Sequence, residues 1–190
     1  APILLLSEPV PDAFPLVVQH RLSTVVASEA GVTAAMAAVA AGGEPTVLAV
    51  HLKVNTGMNR VGVEPADAVA LARRVSEHPA LRLEGVMTHL AVADEPEHPF
   101  TGEQLRRFDE VLAALAAAGI EAPLVHAANS GGTLAHPSSR HDLVRCGIAV
   151  YGLPPAPGVT GGGSLRPGAG LRGEGDCSRG GPAGGGGVYG

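Results

Sequence analysis

The sequence predicts an α/β fold in which parallel strands form part of a TIM-type (β/α)8 barrel. Short apolar runs alternate with helical patterns from residue 3 to residue 151, as in successive β/α units. Polar residues cluster at the ends of most apolar runs, and the carboxyl ends of parallel strands open on one face. Ligand groups at many strand ends, rather than at one switch point, favour a barrel over an open sheet. About five or six units can be counted, which is fewer than the eight that close a barrel.

The first half of the chain contains two β/α units. A strand is expected at residues 3–6, and a second strand at 23–27 is followed by an alanine-rich helix at 29–41 that two glycines close. The next strand spans 47–54. After a glycine-containing loop, Pro65 begins a helix whose apolar residues recur at helical spacing.

The second half continues this alternation. A strand at 81–88 precedes a helix at 102–118 whose apolar residues lie on one face. The remaining elements are expected to be strands at 125–127, 142–144 and 148–150 and a short helix at 131–135 with Ser130 as its cap.

Composition excludes several classes of function. The net charge of -5 and the absence of a basic run argue against nucleic acid as a partner. No apolar run reaches the ~18 residues of a membrane span, and the first residues lack the basic segment of a signal peptide, which predicts a cytoplasmic protein without a membrane partner. The two cysteines lack the paired spacing of a disulfide framework or a zinc site, so no metal is expected, and Cys146 is expected to be a small buried packing residue.

The end of the chain differs sharply in composition. Residues 158–190 contain 15 of the 27 glycines, a density that cannot build a core and is typical of a disordered tail. The expected organisation is therefore a barrel domain at 1–157 and a glycine-rich tail at 158–190.

Four polar clusters resemble a known family in order and spacing. They read LKVNTGMNRVG at residues 52–62, EGVMTH at 84–89, HAANS at 126–130 and VRCGIAVYG at 144–152. Over residues 1–153 the chain closely resembles the middle of bacterial alanine racemase. The resemblance implies a pyridoxal-phosphate barrel followed by a β domain, in a homodimer. It also implies interconversion of L- and D-alanine through an aldimine with pyridoxal 5'-phosphate, which supplies D-alanine for peptidoglycan.

The resemblance assigns several residues to the cofactor. Arg145 would face the pyridine nitrogen, because an arginine stays charged and donates its hydrogen bond. The alternative is that Arg145 caps a loop or pairs with Asp142. His89 and Arg60 would form a second layer behind the ring, with Arg60 near the phenolic oxygen and the substrate carboxylate. Lys53 resembles the lysine that many family members carbamylate.

Other residues match the part of the site that holds phosphate. Asn129, Ser130, Gly147 and Ile148 would contribute hydroxyl and backbone N–H groups to the anion, and His126 would orient the loop. Each also has a simpler interpretation. A capped helix and an ordinary turn would explain the phosphate residues, a solvated charge would explain Lys53, and a hydrogen-bonded core histidine would explain His89.

The tail also matches the family in part. Leu165-Arg166-Pro167 and Tyr189 fall at the spacing of two β-domain motifs, and Tyr189 occupies the position of a catalytic base that serves the partner subunit's site. The apolar positions between them read glycine, so residues 158–190 are either the degraded start of the β domain, otherwise missing, or disordered.

The chain departs from the family at the second catalytic base. Lys53 is the only lysine, and its motif is not that of the Schiff-base lysine, so this chain alone is expected to be inactive. Smaller departures are Asn55 for the usual aspartate, Asn59 for the usual glycine and Cys146 for a common proline.

Three alternatives remain open. One is a racemase for another small amino acid such as serine, since the substrate pocket needs β-domain residues. Another is a non-catalytic pyridoxal-phosphate-binding barrel. The least favoured is a metal-dependent hydrolase with His89 and His126 as ligands, because the sequence lacks a His-x-His pair or a convincing set of carboxylates.

Overall fold

The structure is a five-stranded parallel half-barrel. It is a computed structural model that describes residues 2–42, 46–161, 163 and 165–168. The strands follow one another in chain order, all parallel. They are β1 (Leu4–Leu5), β2 (Ser23–Val26), β3 (Leu48–Lys53), β4 (Leu81–Met87) and β5 (Leu124–His126). The sequential order confirms the predicted partial barrel.

Helices connect the strands and cover one face of the sheet. They are α1 (Phe14–Gln19), α2 (Glu29–Ala41), α3 (Ala68–Ser76), α4 (Phe100–Ala117) and α5 (Ser130–Ala135). Short 3-10 turns lie at Pro11–Ala13, Pro65–Asp67, Pro137–Ser139 and Ile148–Tyr151. No helix among the described residues is long and apolar enough to cross a bilayer.

The two faces of the sheet differ in chemistry because side chains alternate along each strand. In β3, Leu48, Val50 and Leu52 belong to the apolar core beneath the helices. The intervening residues His51 and Lys53 face the other way and are still buried, at 2% and 4% exposure. We call this second, polar side of the sheet the inner face.

The start of α2 shows how the sequence directs local structure. Ser28 caps the helix, because its hydroxyl oxygen accepts a hydrogen bond from Gly31 N at 2.9 Å. The Glu8 carboxylate accepts hydrogen bonds from Ala27 N at 2.6 Å and Ser28 N at 3.0 Å. These contacts hold the helix start against the segment after β1, although the two are distant in sequence.

One irregularity interrupts the pairing of β3 and β4. Val50 pairs with Leu83, but the next residue, His51, pairs with Gly85, so Glu84 is an extra residue in β4. Such a bulge re-aims the side chains beside it. Glu84 and Gly85 both face the inner side. There the Glu84 carboxylate contacts the His51 ring, and the ring occupies the space that a side chain at residue 85 would need.

The strands predicted at 142–144 and 148–150 do not form. Residues 148–151 make a 3-10 turn that ends at Gly152, whose φ is 79°. The reason is a contact with a distant residue, because the Ser130 hydroxyl accepts hydrogen bonds from Gly147 N and Ala149 N, and Val150 N donates to Gly147 O. Those bonds replace the strand pairing that a β-branched run favours.

Smaller predictions also differ from the structure. Helix α1 was not expected. The cap of α5 is Asn129 rather than Ser130, because the Asn129 backbone is extended and its side chain accepts from Gly132 N. Cys146 is half-buried rather than buried, with Sγ 3.6 Å from Thr133 Oγ1.

Little of the predicted tail falls within the described residues. Gly168 N donates to Tyr151 O at 3.0 Å, so the short described piece at 165–168 lies against the turn at 148–151. Tyr189 and most of the interval 158–190 lie outside the described residues.

The buried ring of Phe108 offers a test of the helical layer. Phe108 in α4 is 0% exposed. Truncation of Phe108 to alanine is expected to lower the free energy of unfolding by about 3–5 kcal/mol, since it removes buried apolar area and leaves a cavity. The measurement is chemical denaturation of the complete gene product. Val10→Ala, at a residue that is 71% exposed, is the control and is expected to change stability by less than ~0.5 kcal/mol.

Candidate active site

The polar clusters predicted from the sequence meet at the carboxyl ends of the strands. Residues from three of the four clusters line a cavity of about 410 Å³. Its lining includes six of the predicted site residues, His89, Asn129, Ser130, Arg145, Gly147 and Ile148, together with Leu6, Asp94, Gly131 and Pro155. Lys53, Arg60 and His126 are not in this lining.

Arg145 is the charged centre of the site. Its guanidinium donates to Thr88 O at 2.7 Å, to Ala127 O at 3.0 Å and to His126 Nδ1 at 2.7 Å. Arg145 does not pair with Asp142, whose carboxylate accepts from Val125 N instead. Burial lowers the Arg145 pKa to about 10. Every hydrogen bond to this guanidinium among the described residues uses Nη1 or Nη2, which leaves Nε–H for a ligand.

Two histidines beside Arg145 are held neutral. Burial, followed by the Arg145 charge, lowers the pKa of His126 to about 3. Burial and the charges of Arg145, Arg60 and Lys53 lower the pKa of His89 to about 4. The His89 ring lines the cavity, whereas the His126 ring is fully buried behind Arg145. A cationic ring at either position would repel the guanidinium.

Ser130 and Asn129 also line the cavity. The Ser130 hydroxyl oxygen accepts from Gly147 N at 3.0 Å and from Ala149 N at 3.3 Å. Because both lone pairs are engaged, the Ser130 O–H is available as a donor to a ligand. Asn129 Nδ2 donates to Leu90 O, which ties the start of α5 to the loop after β4.

Lys53 is the last residue of β3 and Arg60 lies in the loop that follows it, and neither lines the cavity. Lys53 is buried on the inner face, and burial together with the Arg60 and Arg145 charges lowers its pKa. Arg60 is exposed. The structure therefore places two more cations near Arg145, and an anionic group would relieve their mutual repulsion.

The loop after β3 accommodates both departures from the family motif. Asn59 has a φ of 55°, a left-handed conformation that glycine and asparagine adopt most readily. Asn55 Oδ1 accepts from Gly57 N and Asn59 N, as an aspartate carboxylate would, and its amide also donates to Glu64 Oε1 at 2.7 Å. The loop therefore keeps its turn with asparagine at both positions.

Gln104 is a structural residue of the site that the sequence interpretation missed. Its fully buried amide accepts from Ala91 N at 2.8 Å and donates to His89 O at 3.1 Å and Thr56 Oγ1 at 3.3 Å. Thr56 in turn bonds Thr88 at 2.7 Å. The amide thus joins the loops after β3 and β4. A signal was present, since Gln104 lies one turn before Phe108 on the apolar side of α4.

Both ring nitrogens of His126 already have protein partners. Nδ1 lies 2.7 Å from Arg145 Nη1, and Nε2 lies 2.8 Å from His51 Nδ1. These contacts disfavour His126 as the metal ligand of the hydrolase alternative. In the part of the chain that the structure describes, no group of three or more His, Cys, Asp or Glu residues is arranged to hold a metal ion.

The neutral histidines predict a loss of stability in mild acid. Unfolded histidine titrates near pH ~6.5, whereas the folded pKa values of His89 and His126 are about 4 and about 3. The stabilisation is therefore fully present above pH ~6.5 and is lost as the pH falls below it, by up to ~1.4 kcal/mol per pH unit for each histidine. Between pH ~6.5 and ~5 most carboxylates stay ionised, which isolates the histidine contribution. Denaturation midpoints that stay constant across this window would contradict the assignment.

Comparison with known proteins agrees with this geometry. The family model for the alanine racemase N-terminal domain matches residues 1–155. Alanine racemase of Symbiobacterium thermophilum is 54% identical over 110 residues, which are 58% of this chain and 29% of that protein. Alanine racemase of Treponema pallidum is 38% identical over 159 residues, which are 82% of this chain and 42% of that protein.

Solved structures give the same result. Alanine racemase from Clostridium difficile 630 in complex with cycloserine superposes with a TM-score of 0.82 at 28% identity, over 87% of this chain and 46% of that one. The Bacillus anthracis enzyme with bound L-Ala-P gives 0.78 at 31% identity, over 88% of this chain and 43% of that one. The chain spans less than half the length of these relatives. With its half-barrel and a family match that extends over residues 1–155, it belongs to the alanine racemase family.

Proposed function

We propose that the protein containing this chain interconverts L- and D-alanine with pyridoxal phosphate as cofactor, and so supplies D-alanine for peptidoglycan. The observation that carries the proposal is the meeting of Arg145, His89 and Ser130 at one cavity, although they come from three different segments. We also propose a cytoplasmic location for the protein, as the sequence predicts.

The residues around the cavity fit pyridoxal phosphate. The volume of about 410 Å³ lies within the ~300–1,000 Å³ range of small-molecule and cofactor sites. The lining provides a cation, Arg145, and a hydroxyl donor, Ser130. A Cβ added to Gly147 would meet no atom within 4 Å, so the absence of a side chain there leaves open space beside Ser130 for an anion. When bound, pyridoxal phosphate supplies the electron sink that makes the α-proton of the amino acid removable.

Arg145 is proposed to hold the pyridine nitrogen with its free Nε–H. An arginine remains charged near neutral pH and donates a hydrogen rather than a proton, so the nitrogen stays unprotonated. A weaker electron sink suits racemisation better than transamination. His89 lies against the same guanidinium and lines the cavity, which suits a residue packed behind the ring.

The phosphate is proposed to lie at the other end of the cavity. Ser130 would donate its hydroxyl hydrogen, and Gly147 and Ile148 would allow backbone to approach the anion. Asn129 would hold the start of α5 in place, since its side chain already bonds Gly132 N and Leu90 O. His126 would position Arg145 through the bond to Nδ1.

Lys53 is proposed to react with carbon dioxide and become an anion. Its lowered pKa increases the fraction of neutral amine, which is the form that reacts. A carbamate at this buried position would be attracted to Arg60 and Arg145, the two charges that now disfavour the lysine cation. Arg60 would then be held ready for the substrate carboxylate.

The remaining catalytic parts belong to the whole protein. We propose a homodimer in which Tyr189 acts as one base at the partner subunit's site, and a β domain that begins within residues 158–190. The other base would be a Schiff-base lysine outside residues 1–190, because Lys53 does not stand in that motif. The barrel would occupy residues 1–157, and this chain alone would be inactive.

Serine is the second candidate substrate. The described residues would hold the cofactor, whereas the amino-acid side chain would also contact residues beyond them. Alanine is favoured because the matched relatives are named alanine racemases.

The proposed function is tested by racemisation of L-alanine and L-serine with the complete gene product and cofactor. Alanine turnover is expected in the complete product, and no turnover above that of free cofactor in the 190-residue chain. Arg145→Lys is expected to lose ~100-fold in turnover, because an ammonium cannot keep the acceptors of a planar guanidinium and also reach the cofactor. Arg106→Lys, in an exposed ion pair on α4, is the matched control. Cofactor binding without any racemisation would favour the non-catalytic barrel instead.

The modification of Lys53 is tested by carbon-13 NMR of the complete gene product in labelled bicarbonate. A carbamate signal is expected in the wild type and is expected to be absent from Lys53→Gln. The comparison with Lys53→Gln assigns the signal, because Lys53 is the only lysine among residues 1–190. A wild-type spectrum that lacks the signal would remove the proposed anion beside Arg60.

A further inference from the structure

A continuous line of hydrogen bonds runs through the inner face from Arg145 to Glu84. Arg145 Nη1 lies 2.7 Å from His126 Nδ1, and His126 Nε2 lies 2.8 Å from His51 Nδ1. His51 Nε2 lies 3.3 Å from Glu84 Oε2. We call these four residues the inner-face network. The two rings between the charged ends are 2% exposed or less.

The two ends determine where the hydrogens lie. A guanidinium only donates, so His126 Nδ1 must be an acceptor and its hydrogen sits on Nε2. That hydrogen points at His51 Nδ1, which must then accept, so the His51 hydrogen also sits on Nε2. An ionised carboxylate only accepts, and Glu84 receives it. Each of the three contacts in the network thus contains one hydrogen, and both rings are neutral.

Glu84 is placed to stay ionised. Burial alone would raise its pKa, but hydrogen bonds from Ser23 and His51 and the nearby Arg82 outweigh this and lower it. Its side chain is 24% exposed and lines a second cavity of about 430 Å³. Ser23 Oγ donates to Glu84 Oε2 at 3.0 Å, and Arg82 pairs with Oε1 at 3.0 Å.

The backbone around the network is adapted to it. Glu84 is the extra residue of the bulge, so the irregular pairing of β3 and β4 occurs where the carboxylate meets His51. The neighbouring residue is glycine, and a Cβ there would come within 2.5 Å of His51 Nδ1 and 2.6 Å of Leu124 O. Any larger residue would displace the ring from His126.

We propose that His51 and Glu84 are positioning residues that act on the cofactor through His126 and Arg145. The carboxylate polarises His51, His51 polarises His126, and His126 Nδ1 becomes a stronger acceptor for the guanidinium. Arg145 is thereby fixed in one orientation, with Nε–H directed to the ligand. The effect on catalysis rests on the proposed function, whereas the hydrogen positions do not.

The first test is the tautomeric state of the two rings in the complete gene product with pyridoxal phosphate. Nitrogen-15 NMR of labelled histidine distinguishes hydrogen on Nδ1 from hydrogen on Nε2. Both His51 and His126 are expected to carry a single hydrogen on Nε2 at neutral pH. A hydrogen on Nδ1 of either ring, or a cationic ring, would overturn the proposal. Because this test uses the wild-type protein, it does not depend on the folding of a variant.

The second test replaces the carboxylate by Glu84→Gln. A glutamine oxygen can still accept from His51 Nε2, and Arg145 still sets the direction of the hydrogens, but the negative charge that polarises the two rings is lost. Both rings are therefore expected to keep their hydrogen on Nε2, while kcat falls about 10- to 100-fold, as for partners that orient metal-bound histidines, and KM is unchanged. Glu77→Gln, at an exposed residue just after α3, is the matched control.

The outcomes separate this proposal from the proposed function. If the gene product does not racemise alanine but the rings carry the expected hydrogens, the network is established and the function is wrong. If racemisation is present and Glu84→Gln leaves kcat unchanged, the function stands and the positioning role is wrong.

Discussion

Arg145 carries a positive charge into the site, and none of its hydrogen-bond partners among the described residues is a carboxylate. Those partners are the carbonyls of Thr88 and Ala127 and the neutral rings of His89 and His126. The carbonyls lie just beyond the ends of β4 and β5, so the guanidinium is stabilised by dipoles that only the assembled sheet brings together. This buried cation adds to the effect of burial in keeping both rings neutral.

The inner face of the sheet and the outer face, which lies under the helices, bury different kinds of side chain. The outer face supplies the apolar core under the helices. The inner face buries polar groups, which is costly unless each finds a partner. Gln104 meets this requirement for the loops after β3 and β4, and the inner-face network meets it for the two central histidines. Because the same hydrogen bonds also position the site residues, they give the buried polar groups partners and make the site rigid.

Much of the fold could be predicted from the sequence. The alternation of apolar runs and helical patterns predicts the β/α order, and helix α2 has the predicted limits at Glu29 and Ala41. The polar clusters at strand ends predict which residues share the cavity, because parallel strands end on one side. These signals are local in sequence, and the parallel order of the strands then brings the clusters together.

What could not be predicted depends on contacts between distant segments. The run at 148–150 has strand propensity, but the Ser130 hydroxyl binds its backbone and a turn results. The role of Glu84 depends on a bulge, and a bulge is defined by the pairing of two strands that lie about thirty residues apart in the chain. Lys53 and Arg60 could be identified from motifs. Their electrostatic environment could not be predicted, because it depends on where the folded sheet places Arg145.

The bulge also constrains how this strand can change in length. Side chains alternate along a strand, so the loss or gain of one residue sends every later side chain to the opposite face unless a bulge absorbs it. A deletion at Glu84 would restore even pairing between β3 and β4, yet it would remove the carboxylate from His51. The extra residue therefore makes β4 intolerant of single-codon insertions and deletions, even though Glu84 does not line the cavity at the ends of the strands.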